Sequence, residues 1–178
     1  MMNYIGLLRK VKVFAKKYCE KDLEDDLLWK NHVRLVRKFA LKLAKIENAD
    51  KQVVEIASLF HDIGKFQGRK EHNVVGFNLA KQFFKENPWN GKKEKLVLKC
   101  ILKHRSKFSR EDNEIEVKVI QSADMLGTLF DDEWQDYSRK NLKKKDLLLL
   151  YENALKKINL ASAKVIAKKR IGDLKQLI

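Results

Sequence analysis

A single proline, Pro88, and seven glycines interrupt 178 residues, and this scarcity constrains the fold more than any other feature. Proline and glycine end helices and shape tight turns, so a chain with few of them is built from long regular segments joined by few loops. Periodicity says which kind. Leu27, Leu28, His32, Leu35, Val36, Phe39, Leu43 and Ile46 recur at i, i+3, i+4 and i+7, which predicts a helix over about 23–47 preceded by Asp22, with His32 on its apolar stripe. Asp50 is placed to cap a second helix carrying Val53, Val54, Ala57, Phe60 and His61, with Gly64 suited to a left-handed position that ends it. Further helices are expected over about 71–86, after Pro88 through Leu96, Val97 and Ile101 to His104, and over 146–158 and 161–176. Glu114 to Ile120 alternates as a half-buried strand would, yet Val117, Ile120 and Asp124 also share a helical face. No partner strand is evident, so helix is favoured. The expectation is an all-α protein: one domain over 1–178 with about six to eight helices, long enough to bury a core without staples.

The formal net charge of +15 sits at the two ends. Residues 1–21 carry six Lys/Arg against one acid, residues 138–178 twelve against three, and the stretch 22–137 twenty-one against twenty. This sets a nearly neutral core apart from basic helical ends, which suit nucleic acid or simply form a lysine-rich solvated surface. The two cysteines, Cys19 and Cys100, have neither pairing nor metal spacing and read as partly buried free thiols, for which a reducing, cytoplasmic compartment fits best. Met1 to Phe14 is broken by Arg9, Lys10 and Lys12, and no apolar run reaches the roughly 18 residues of a membrane span.

The neutral core holds all four histidines: His32, His61, His72 and His104. His61 and Asp62 end the apolar run Ile56-Ala57-Ser58-Leu59-Phe60, where two polar groups give up packing area unless they are paired or bind a metal. Asp124 stands in a similar apolar setting, Val119-Ile120-Gln121-Ser122-Ala123-Asp124-Met125-Leu126. Imidazoles and carboxylates without a thiolate suit Zn, Mn, Fe, Co or Ni.

The ordered set His32, His61-Asp62 and Asp124 resembles the HD superfamily of metal-dependent phosphohydrolases over roughly residues 30–130. An HD-domain-like bundle is the fold this implies. The resemblance implies that these four side chains bind a divalent ion (Mn, Fe, Ni, Co, Zn or Mg). It also implies that His72 and His104 could hold a second ion, with Asp62 as the bridge. His61-Asp62-Ile63-Gly64-Lys65 looks like the glycine-lysine form of the motif. Asp62 and Lys65 are then the candidate catalytic residues, and Lys65 and Arg105 the candidate contacts to a substrate phosphate. A solvated lysine after a helix end is the alternative reading of Lys65. No Gly-Tyr-Pro follows the doublet, unlike the cyclic dinucleotide phosphodiesterase branch, and no acids follow it, unlike the guanosine tetraphosphate hydrolases. The chain is most similar to the small stand-alone members.

The resemblance therefore implies a phosphomonoesterase or phosphodiesterase acting through metal-activated water on a nucleotide or small phosphorylated metabolite. The alternatives are a metal-dependent nuclease, a di-iron oxygenase of the same fold, or a non-catalytic helical module gripping nucleic acid through Lys143-Lys144-Lys145 and Lys168-Lys169-Arg170. No aromatic residues interleave those clusters as a single-strand platform would require.

Overall fold

The structure, a computed structural model, describes residues 2–21, 27–105 and 114–178. Asp22 and the first residues of the helix expected over 23–47 lie outside the described residues. Among the described residues there are nine α-helices and no strand: α1 (Tyr4–Cys19), α2 (Arg34–Glu47), α3 (Lys51–Phe60), α4 (His72–Glu86), α5 (Gly91–Lys103), α6 (Ile115–Phe130), α7 (Asp132–Asn141), α8 (Lys144–Lys157) and α9 (Ala161–Lys175). A π-helical turn, Trp29–Val33, runs into α2, and a 3-10 turn, Lys65–Gln67, follows α3. The expected single all-α domain is therefore what the chain forms, and the ambiguous Glu114–Ile120 stretch is helical, Glu114 being the N-cap and Ile115–Ile120 the first turns of α6.

Helix α3 is the centre of the bundle. It packs against α1, α2, α5 and α6, and every residue from Val53 to Phe60 is buried. A helix covered on all sides is apolar all round, which is why α3 shows a continuous apolar run and the more peripheral α2 a stripe. Each of its fully buried large side chains, Ile56 and Phe60 among them, contributes about 2 kcal/mol by leaving water. Asp50 caps α3 as expected, its Oδ1 accepting from the amides of Gln52 at 2.9 Å and Val53 at 3.2 Å. Around α3, α2 lies on α6, α4 on α5, and α9 on α6. Among the described residues no helix is long and apolar enough to cross a membrane.

The one buried charge of α3 away from its C-terminus is also paired. Glu55 accepts from Arg37 Nε at 2.9 Å and from the Tyr4 hydroxyl. Burial raises the Glu55 pKa, but the bonds from Tyr4 and Arg37 outweigh it and hold the carboxyl below its ordinary value. These contacts fasten α1 and α2 to the central helix.

Gly64 corrects one expectation. Its φ of −90° and ψ of −8° are right-handed, not left-handed, and α3 has already ended at Phe60, with His61 as its C-cap. Glycine is needed there for space. A Cβ at Gly64 would stand 2.2 Å from the His72 carbonyl oxygen and 2.7 Å from Gly76 N, both backbone atoms of α4. This contact brings the His61–Gly64 turn onto the start of α4. Gly64→Ala is expected to lower stability by about 3 kcal/mol, since neither backbone atom yields as a side chain would. Urea denaturation measures it, and a loss under about 0.5 kcal/mol, the ordinary scatter of surface changes, would contradict the close approach.

Candidate metal centre

Five stretches of backbone bring the histidines and two aspartates together. The π-turn carries His32, the turn after α3 carries His61 and Asp62, α4 begins at His72, His104 directly follows α5, and Asp124 lies within α6. His61, Asp62 and His104 are almost wholly buried, and His32 and His72 nearly so. In the π-turn, Val33 N donates to Leu28 O, five residues back. A turn of this kind holds an extra residue and redirects side chains, and π-turns recur at functional sites. Opposite it, Gly127 of α6 has no side chain to push His32 away: a Cβ would stand 2.6 Å from Val36 Cγ2 and 3.4 Å from the His32 ring.

The six side chains form two groups that share Asp62. Asp62 Oδ2 lies 3.1 Å from His61 Nε2 and 3.3 Å from His32 Nε2, and His32 Nε2 lies 3.0 Å from Asp124 Oδ1. Asp62 Oδ1 lies 3.3 Å from His72 Nε2 and 3.7 Å from His104 Nε2. Ligand atoms of His32, His61, Asp62 and Asp124 lie within 4.8 Å of one another, and so do those of Asp62, His72 and His104.

The tautomers test whether these residues fit a cation. His61 Nδ1 bonds the Ser58 carbonyl, His72 Nδ1 that of Arg69, and His104 Nδ1 that of Ile101, each at 2.7 Å. A carbonyl oxygen only accepts, so each Nδ1 carries the hydrogen and each neutral ring presents a bare Nε2. His72 Nε2 and His104 Nε2 nevertheless face each other at 2.9 Å. Two lone pairs at that distance repel unless a cation lies between them. Asp62 Oδ2 is likewise buried and accepts no well-directed hydrogen bond, although nitrogens surround it. The donor set and its carbonyl-anchored imidazoles fit a divalent ion.

Electrostatics divides the two groups. Burial lowers the pKa of His32, but the hydrogen bond to Asp124 and the Asp62 carboxylate beside it outweigh this and raise the value to about 9. His104 goes the other way, pushed down to about 4 by burial and by the nearby His61. Burial also lowers His72. Burial opposes the charge on Asp62, yet His61 and Lys65 hold its carboxyl well below the usual range. Asp124 is also depressed: burial raises it and His32 more than reverses that.

The structure brings Lys65 to the cluster, with Nζ 2.5 Å from Asp62 Oδ2 and the side chain 15% exposed. Lys65 is therefore not merely solvated after a helix end. Arg105 donates from Nη1 to the Lys70 carbonyl, which ties the loop ahead of His72 to the end of α5. A groove of about 580 Å3 between Lys30, Arg34 and Asp131 lies at the C-terminal end of α6 and includes none of the six side chains, so donor chemistry rather than cavity size marks the site. Sequence reasoning missed Asn73 and Gln121, buried amides that donate to the Leu102 and Lys103 carbonyls ahead of His104. Their signal was a polar side chain within an apolar helical stretch.

An all-α bundle that converges four histidines and two aspartates on one buried point defines a protein with a candidate metal centre. The HD domain matches residues 29–129, and the chain belongs to that family. Among solved structures it is similar to an HD-superfamily hydrolase from Bacillus thuringiensis, with 25% identity over 98% of this chain and 94% of that one and a TM-score of 0.74. A predicted HD superfamily hydrolase from an uncultured Thermotogales bacterium aligns with 19% identity over 99% and 95%, TM-score 0.69. Bacillus subtilis YpgQ in complex with ADP aligns with 18% identity over 99% and 95%, TM-score 0.69. No curated protein matches the chain by sequence.

Proposed function

We propose that this HD-domain protein is a metal-dependent hydrolase that cleaves a phosphomonoester or phosphodiester bond in a nucleotide or other small phosphorylated metabolite. The observation that carries this reading is the pair of bare imidazole nitrogens of His72 and His104, 2.9 Å apart, beside a carboxylate that also faces His32 and His61. His32, His61, Asp62 and Asp124 would hold one divalent ion, and Asp62, His72 and His104 a second. Bound there, the metal supplies a Lewis acid for a phosphoryl oxygen and lowers the pKa of water toward neutrality.

The chain's own residues add binding and orientation. Asp124, at 24% side-chain exposure, and Lys65, at 15%, form an open edge of a cluster whose His61 and His104 are closed off. A substrate phosphate enters from that edge. Lys65 offers it a positive charge: burial lowers the Lys65 pKa, but Asp62 and Asp124 reverse this and keep the ammonium protonated. Arg105 holds the loop ahead of His72 through the Lys70 carbonyl. ADP in the YpgQ complex supports a nucleotide as the first substrate to try.

The basic ends favour one second reading, cleavage of nucleic acid. Lys143, Lys144, Lys145, Lys168 and Lys169 are all exposed. Metal-stripped protein reloaded singly with Mn, Fe, Co, Ni, Zn or Mg is expected to hydrolyse nucleotides or bis-p-nitrophenyl phosphate only when a metal is present. Faster cleavage of oligonucleotides would select the nuclease. Oxygen consumption by the iron-loaded protein without phosphate release would replace hydrolysis by oxidation.

A further inference from the structure

We propose that Asn159, in the connection between α8 and α9, positions His104 through Gln121, so that the C-terminal helices control the second half of the metal centre. Asn159 lies outside the residues that match the HD domain. This inference rests on the two-ion reading above.

The relay ends at the last turn of α5. A helix leaves its last carbonyls without intrahelical partners. Here three in succession receive side-chain donors. Ile101 O accepts from His104 Nδ1 at 2.7 Å, Leu102 O from Asn73 Nδ2 at 2.8 Å and Lys103 O from Gln121 Nε2 at 2.7 Å. The direction of the His104 ring is therefore set by a turn that α4 and α6 grip from two sides.

Only one amide orientation satisfies this arrangement. Lys103 O can only accept, so Gln121 must point Nε2 at it and present Oε1 the other way. Asn159 Nδ2 donates to that Oε1 at 2.6 Å. Gln121 is 3% exposed, so water does not readily replace a lost partner. Asn159, Gln121 and the Lys103 carbonyl thus form a chain of fixed polarity that ends one residue from a proposed ligand. Outer partners of this kind typically change metal affinity 10–100-fold when removed.

The polarity supplies the test. Asn159→Asp keeps the size of the side chain but turns a lone pair toward Gln121 Oε1, so the Gln121 amide must reverse and set its own oxygen against the Lys103 carbonyl. Asn159→Ala leaves the Gln121–Lys103 bond intact. Full-length, metal-stripped protein is titrated with Mn2+ by calorimetry, and bound manganese is counted by electron paramagnetic resonance. The wild type is expected to take two ions. In Asn159→Asp the second should bind about 10–100-fold more weakly while the first is unchanged, and Asn159→Ala should have the smaller effect. A merely structural role predicts the opposite order, because alanine removes more packing, and thermal denaturation of both variants would show it. Two ions bound with wild-type affinity in Asn159→Asp would overturn the relay and leave the two-ion reading standing. Fewer than two ions in the wild type would overturn both.

Discussion

Asp62→Ala is expected to reduce metal-stimulated hydrolysis to the metal-free background, a loss of at least about 10²–10³-fold, the scale set by one preorganised electrostatic group. Asp62 faces both groups of ligands: Oδ2 is directed at His61 and His32, and Oδ1 at His72 and His104. Each of the other five candidate ligands belongs to one group. Losing the carboxylate therefore weakens both proposed ions, and it also leaves Lys65 without its closest anion. The fold should survive, because the apolar core of α2, α3, α5 and α6 does not depend on this side chain. Circular dichroism would check the helices, metal analysis the ions, and phosphate release the activity. Hydrolysis at the wild-type rate in a folded variant would sink the assignment. Asp62→Asn, which keeps the shape and removes the charge, should lose nearly as much.

A shift from pH 9 to pH 7 is expected to weaken binding of the first ion by about fiftyfold, approaching tenfold for each pH unit below the His32 pKa. In the metal-free protein the His32 pKa is raised to about 9 because the hydrogen bond to Asp124 and the neighbouring Asp62 carboxylate outweigh burial. A raised value means that the proton is held at neutral pH and released only as the pH climbs through about 9. That proton faces Asp62 and Asp124 on Nε2, the atom a metal would take. The ion must displace it, so affinity rises with pH up to that value and then levels. The second group behaves differently, since His104, with a pKa of about 4, and His72, also lowered, are already neutral at pH 7. Calorimetric titrations in buffers of differing ionisation enthalpy should count about one proton released for the first ion at pH 7 and none from the second pair of histidines. An affinity for the first ion that stays flat between pH 7 and 9 would contradict the account.

What could be read from the chain and what could not follow from the range of the forces involved. Helices α2 to α6 were legible because their apolar residues recur at helical spacing and Asp50 marks a start, both local signals. The order His32, His61-Asp62, Asp124 was legible for the same reason. Their convergence was expected only through the family resemblance, because no local pattern says how α2, α3 and α6 pack. Helix α7 had no usable signal: only Gln135 and Ser138 are buried in it, and neither is apolar. Gly64 was read as a backbone requirement, yet it serves a contact with α4 that no local pattern encodes. The amides of Gln121 and Asn73 were passed over because their partners, the carbonyls at the end of α5, lie 18 and 29 residues away in the chain.

The π-turn at Trp29–Val33 makes the site a matter of helical phase. One residue more than a regular turn would hold is accommodated there, so Leu28, whose carbonyl accepts from Val33, is rotated about 100° relative to the frame that α2 alone would impose. His32 sits inside this offset and Arg34 begins the regular helix. Insertions and deletions near this point therefore have an unusual grammar. Removing Val33 would leave an ordinary α-helix that looks better formed than the original. It would also swing the imidazole out of register with Asp62 and Asp124, so that a gain in helical regularity would be a loss of the centre.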